Sequence, residues 1–80
     1  FMNNLDKYKE AFVDGLSVEG NKVKDNLKYN DIPEWDSIGH MTLMSNLEEV
    51  FNITLETDDI VDFSSFKRGK EILNKYKIDF

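Results

Sequence analysis

Trp35-Asp36-Ser37-Ile38-Gly39-His40, running on through Leu43-Met44 to Leu47-Glu48-Glu49-Val50-Phe51, is the stretch whose reading decides the fold. Asp36 stands where a helix wants an acidic or hydroxyl N-cap. Beyond it Leu43, Met44, Leu47, Val50 and Phe51 fall within a stripe about 120° wide at helical spacing, so the pattern predicts an amphipathic helix opening at Ser37. Ile38, Thr42, Ser45 and Glu49 line its opposite side. Ile38 is thus an apolar residue turned outward beside a hydroxyl. The first turn of a helix has backbone N–H groups without intrahelical partners and a positive macrodipole end, which makes Ser37 a candidate for a covalent phosphodiester.

Upstream, Leu5, Tyr8, Phe12, Val13 and Leu16 share one stripe of a first helix, with Asn3 or Asn4 as its N-cap and Gly15 and the stretch 17–20 as its end. Residues 21–34 read as a long loop anchored at Val23, Leu27, Tyr29 and Ile32, and Pro33 biases Ile32 toward an extended conformation. Downstream, Ile53-Thr54-Leu55 has no second strand to pair with and is read as an extended connection. Thr57 or Asp58 caps a short third helix through Phe63. Ser64 or Ser65 caps the last, where Phe66, Gly69, Ile72, Leu73 and Tyr76 share a face. Gly69 on that face predicts close approach to another helix. Three longer helices, one short helix and a long first loop predict a single all-α bundle over residues 1–80. Phe1 ahead of Met2 reads as a residue added before a native start.

The formal net charge is −6 and cysteine is absent. Nucleic acid is not expected as a partner, because phosphate backbones are bound by clustered Lys and Arg. Between Tyr29 and Phe66 there are nine acids and no Lys or Arg. Such a one-signed field around Ser37 predicts steering of a basic partner surface. No apolar run approaches a membrane span, no targeting segment opens the chain, and a cytoplasmic monomer is the default expectation.

A hydrolytic role for Ser37 needs a base, an orienting third group and an oxyanion hole. His40, the only histidine, is three residues away on the same helix and near the middle of its core-facing stripe. It reads as a buried or half-buried ring hydrogen-bonded to the loop over the helix start, and no catalytic residue is assigned. Asp58, Asp59 and Asp62 lack the spacing of a calcium loop, so no metal site is assigned and these acids read as solvated and favourable at a helix start. Trp35 reads first as core, stapling loop to helix, with packing beneath Ser37 as the alternative.

Asp36-Ser37-Ile38 opening the second helix, followed ten residues after Ser37 by Leu47-Glu48-Glu49-Val50-Phe51 and then by a short acidic helix and a last helix, resembles the acyl carrier protein family over nearly the whole chain. The resemblance implies a four-helix acyl-carrier-like bundle that is not an enzyme. It implies that Ser37 carries a 4'-phosphopantetheine arm derived from coenzyme A, with Asp36 as the adjacent acid. The arm would hold acyl intermediates as thioesters for lipid, fatty-acid or specialised biosynthesis. A phosphopantetheinyl transferase and acyl-loading and acyl-using enzymes with basic docking surfaces are the implied partners. They would meet Ile38, Met41, Thr42, Ser45, Glu48 and Glu49. Within the family an aminoacyl or peptidyl carrier is the alternative; outside it, an unmodified acidic helical adaptor, with a degenerate enzyme fragment behind. The Trp-Asp-Ser-x-Gly-His form is similar to stand-alone carriers of specialised pathways. Gly39, Thr42 and Ser45 stand where housekeeping carriers hold acids or larger apolar residues. Replacing Gly39 and Thr42 by Asp and Glu is therefore expected to restore steering toward housekeeping enzymes.

Overall fold

Asn3 starts the first helix: its side chain accepts from the Asp6 amide at 2.8 Å, and α1 runs Asn4–Leu16. The helix closes on Ser17 in the left-handed region (φ 56°), whose N–H returns to the Val13 carbonyl. Gly15, expected to help end the helix, lies inside α1 and is buried against the backbone of Leu43. In the computed structural model of the chain the described residues are 2–80, and Phe1 lies outside them.

Three further helices follow: α2 over Ser37–Phe51, α3 over Thr57–Asp62 and α4 over Phe66–Asn74. The result is an all-α bundle with three longer helices and one short one. Asp36 caps α2, and Asn52 ends it at φ 53°, where an asparagine tolerates the left-handed conformation. Ser65 caps α4 by accepting from the Arg68 amide at 2.9 Å. Neither Thr57 nor Asp58 caps α3. Its N-cap is Glu56, with no side-chain bond, and Thr57 is the first helical residue. Tyr76, expected on the face of the last helix, lies in the turn beyond it.

The long first connection is more structured than its composition indicates. It contains a 3₁₀ turn at Gly20–Lys22 and buries Val23 and Leu27. Lys28 and Ser65 form an isolated antiparallel bridge, with the Tyr29 amide donating to the Ser64 carbonyl and the Phe66 amide to the Leu27 carbonyl, both at 2.9 Å. The Asp31 carboxylate accepts from the Lys28 amide at 2.9 Å, so a loop that runs over the bundle keeps its polar groups partnered.

The core is aromatic. Tyr8 and Phe12 of α1 pack edge to face at 5.1 Å, Phe12 meets Trp35 at 5.3 Å, and Tyr8 lies 4.5 Å from Phe66. Tyr8 donates its buried hydroxyl to the Phe66 carbonyl at 2.7 Å, and burial pushes that hydroxyl far above the ordinary tyrosine range. Gly69 makes this possible: a Cβ there would stand 2.1 Å from the Tyr8 hydroxyl and 2.2 Å from the Phe63 ring. The close approach expected at Gly69 is therefore present. On α2 the buried stripe is narrower than its pattern: Leu43, Met44 and Leu47 are buried, Val50 is exposed, and Phe51 is half-buried with its ring 6.5 Å from that of Phe80.

Candidate functional site: the start of α2 and the α2–α3 groove

Ser37 is the first residue of α2 and is exposed. The Asp36 carboxylate accepts from the Gly39 amide at 2.8 Å, and the Asp36 carbonyl accepts from the His40 amide at 2.8 Å. This cap orients the first turn and leaves the serine hydroxyl at its mouth. Beside it opens a predominantly apolar cavity of about 350 Å³, walled by Ser37, His40 and Met41 on one side and Ile60, Val61 and Phe63 on the other. Such a space suits an aliphatic or amide-bearing chain better than an ion.

His40 sits in the floor of this groove, half-buried, the more open of the two placements expected from the sequence, and with two bonds rather than one. The Trp35 indole N–H donates to Nδ1 at 2.9 Å, and Nε2 lies 2.8 Å from the Ile60 carbonyl oxygen. Trp35 itself is fully buried, with its ring stacked 6.2 Å from the imidazole. The ring therefore spans from the loop before α2 to the backbone of α3. Among the described residues no hydroxyl is bonded to it.

α3 is fastened from its other side by ion pairs. The Asp59 carboxylate accepts from Lys75 Nζ at 2.5 Å and from the Tyr76 hydroxyl at 2.6 Å, and that hydroxyl accepts from the Glu56 amide at 2.9 Å. The Lys75 and Tyr76 bonds hold the Asp59 carboxyl below its ordinary range, while burial and then the Asp59 bond push the Tyr76 hydroxyl up. Asp62 pairs with Arg68, which also meets Glu71 at 2.8 Å. Asp59 is thus not a solvated acid. The one-signed zone is also weaker toward α3 than its sequence indicates, because Lys75 and Arg68 reach in from α4 and the turn after it.

The outward face divides. Ile38 is 77% exposed and Met41 52%. Thr42, Ser45 and Glu49 are exposed beside them, with the Thr42 hydroxyl donating back to the Ile38 carbonyl at 3.2 Å. Glu48 does not belong to this face: it is half-buried and its carboxylate accepts from the Leu55 amide at 2.8 Å, closing the connection to α3. Gly39 is not a free position either. A Cβ there would lie 2.0 Å from the Glu34 carbonyl oxygen, so the loop rests on the bare helix backbone. The Gly39→Asp replacement expected to restore steering is obstructed for that reason. Val61 of α3, 79% exposed, lines the groove with Met41, and Ile38, next to Ser37 in the chain, extends this exposed apolar rim. No sequence signal marked it, because a helix of six residues is too short to display a period.

No helix among the described residues is long and apolar enough to cross a membrane. Compared with family models and with curated proteins, the chain matches none.

Proposed function

We propose that this chain is a carrier domain whose Ser37 hydroxyl takes a phosphopantetheine arm and presents acyl cargo to partner enzymes. The observation that carries the reading is an exposed serine at the first position of a capped helix, opening directly onto an apolar groove of about 350 Å³. The helix start favours the negative phosphodiester, and Asp36, whose carboxylate is engaged by the Gly39 amide, sits in the same favourable field. The groove walls offer Met41, Ile60 and Phe63 to the apolar parts of an arm or its cargo. The arm supplies a terminal thiol for thioester carriage; the chemistry on that cargo belongs to the partners. Ser37 Oγ would form the phosphodiester as the pyrophosphate of coenzyme A breaks, its proton passing to a base of the transferase and adenosine bisphosphate leaving. A tethered cargo meets successive active sites at high effective concentration.

Ile38, Met41 and Val61 are the apolar centre of the face we assign to those partners, with Thr42, Ser45 and Glu49 at its rim. Asp31, Glu34, Asp36, Glu49, Glu56 and Asp58, exposed and outside the salt bridges of the described residues, supply the remaining acidic steering of basic surfaces. The same apolar rim also suits an unmodified adaptor, the second reading. Intact mass after incubation with coenzyme A and a broad-specificity transferase separates the two. One added phosphopantetheine is expected on the wild type and none on Ser37→Ala. An unlabelled wild type, or a labelled variant, removes the carrier reading and leaves the adaptor.

A further inference from the structure

We propose that His40 is a latch: by donating its Nε2–H to the Ile60 carbonyl it holds α3 as the far wall of the groove beside Ser37. The imidazole stands between a group that only donates and a group that only accepts. The Trp35 indole N–H, 2.9 Å from Nδ1, cannot accept, and the Ile60 carbonyl, 2.8 Å from Nε2, cannot donate. One neutral tautomer, with the proton on Nε2, satisfies both. Trp35 therefore selects the tautomer and His40 uses it.

Three observations make this bond the determinant of the wall's position. Among the hydrogen bonds of the described residues it is the one that joins α2 to α3. The other polar fastenings of α3, through Asp59 and Asp62, run to Lys75, Tyr76 and Arg68 on the opposite side. Ile60 lies in the last turn of a six-residue helix, where its carbonyl accepts only a long 3.4 Å bond from the Phe63 amide, and His40 supplies a second, shorter one at 2.8 Å at the edge of an apolar cavity. Without it the carbonyl keeps only the long Phe63 bond, and the end of α3 loosens as that oxygen turns toward its remaining donor or draws water into the groove. Tyr29 at 5.4 Å and Phe63 at 6.2 Å pack edge-on to the ring, so it is held in place by aromatic faces. The latch stands on this geometry alone; its influence on an arm at Ser37 rests on the carrier reading.

Two variants divide the ring's functions. His40→Gln puts an amide donor near the Nε2 position and retains the link to Ile60. His40→Asn puts an acceptor near Nδ1, retaining the Trp35 bond and losing Ile60. Amide hydrogen exchange of the unmodified protein is the readout. Exchange over α3 should accelerate about fivefold in His40→Asn, the factor of one net hydrogen bond, with α1 and α4 unchanged, and stay within about twofold of wild type in His40→Gln. Equal acceleration in both variants, acceleration in neither, or acceleration spread over all helices overturns the latch. Nitrogen NMR of the wild-type ring is a further check independent of variant folding: a bare Nδ1 and a protonated Nε2 are required, and the reverse tautomer ends the proposal. None of these readouts involves Ser37, so a protein that no transferase loads can still pass them.

Discussion

The two sides of α3 are built on different physics. Toward α1 and α4, Phe63, whose ring also walls the groove, joins an aromatic cluster in which Gly69 leaves just enough room for the Tyr8 hydroxyl and the Phe63 ring. Toward α2 there is an apolar groove of about 350 Å³, and α3 is set by a hydrogen bond from His40. A side set by close packing resists any added atom, since interiors pack like crystals. A side set by a few polar links can open at the cost of those links. The open side is the one that faces Ser37.

Gly69→Ala is the severest test of the packed side. Its methyl would meet two rigid aromatic groups, and a loss of about 3 kcal/mol in urea melts is expected. A near-neutral result would mean that the aromatic side yields as easily as the groove, and the contrast would collapse. Next, Gly39→Asp should cost about 2 kcal/mol, because the obstacle is the Glu34 backbone carbonyl and not a mobile side-chain tip. Wild-type stability in that variant would show the loop over α2 to be loosely seated.

Asp59→Asn probes the polar fastening. Breaking the charged bonds to Lys75 and Tyr76 should cost about 1–2 kcal/mol, less than a full buried pair because Lys75 is largely exposed. Its pH dependence has a definite sign. The folded-state carboxyl of Asp59 is depressed, so its contribution is present above the unfolded carboxylate value of about 4 and is lost as pH falls through the lower folded value. Denaturation of wild type and variant should therefore converge below about pH 4; a gap that persists unchanged into acid would contradict this assignment.

Smaller effects on stability are expected at the rim. Ile38→Asp and Val61→Asp should each change stability by under about 1 kcal/mol, while loading by a transferase falls about tenfold. Normal loading of both would remove the rim from the docking face. Smallest is Thr42→Glu, within about 0.5 kcal/mol of wild type, since Thr42 is exposed and free of the obstruction at Gly39. It should raise transfer rates to basic enzymes at low salt and not at high salt, where charges are screened beyond about 10 Å or less. Equal rates across ionic strength would place steering in the acids elsewhere on the chain.

Local chemistry was legible without coordinates. Asn3, Asp36 and Ser65 cap the three longer helices through side chains acting over three residues, and a bond of that reach is written in the sequence. The inward stripes of α1 and α4, the outward Ile38 and the core-side His40 follow from helical period alone. Contacts between segments distant in the chain needed the tertiary structure. Ile60 is twenty residues from His40, Lys75 sixteen from Asp59, and nothing local couples them. The ban on a side chain at Gly39 comes from where the loop sets one carbonyl, and the half-burial of Glu48 from where α3 begins. Helical period and capping decide how each segment folds and which way its residues point. The groove, its latch and the acids left free around Ser37 are decided by how those segments meet, because their energies arise between atoms that only the folded chain brings together.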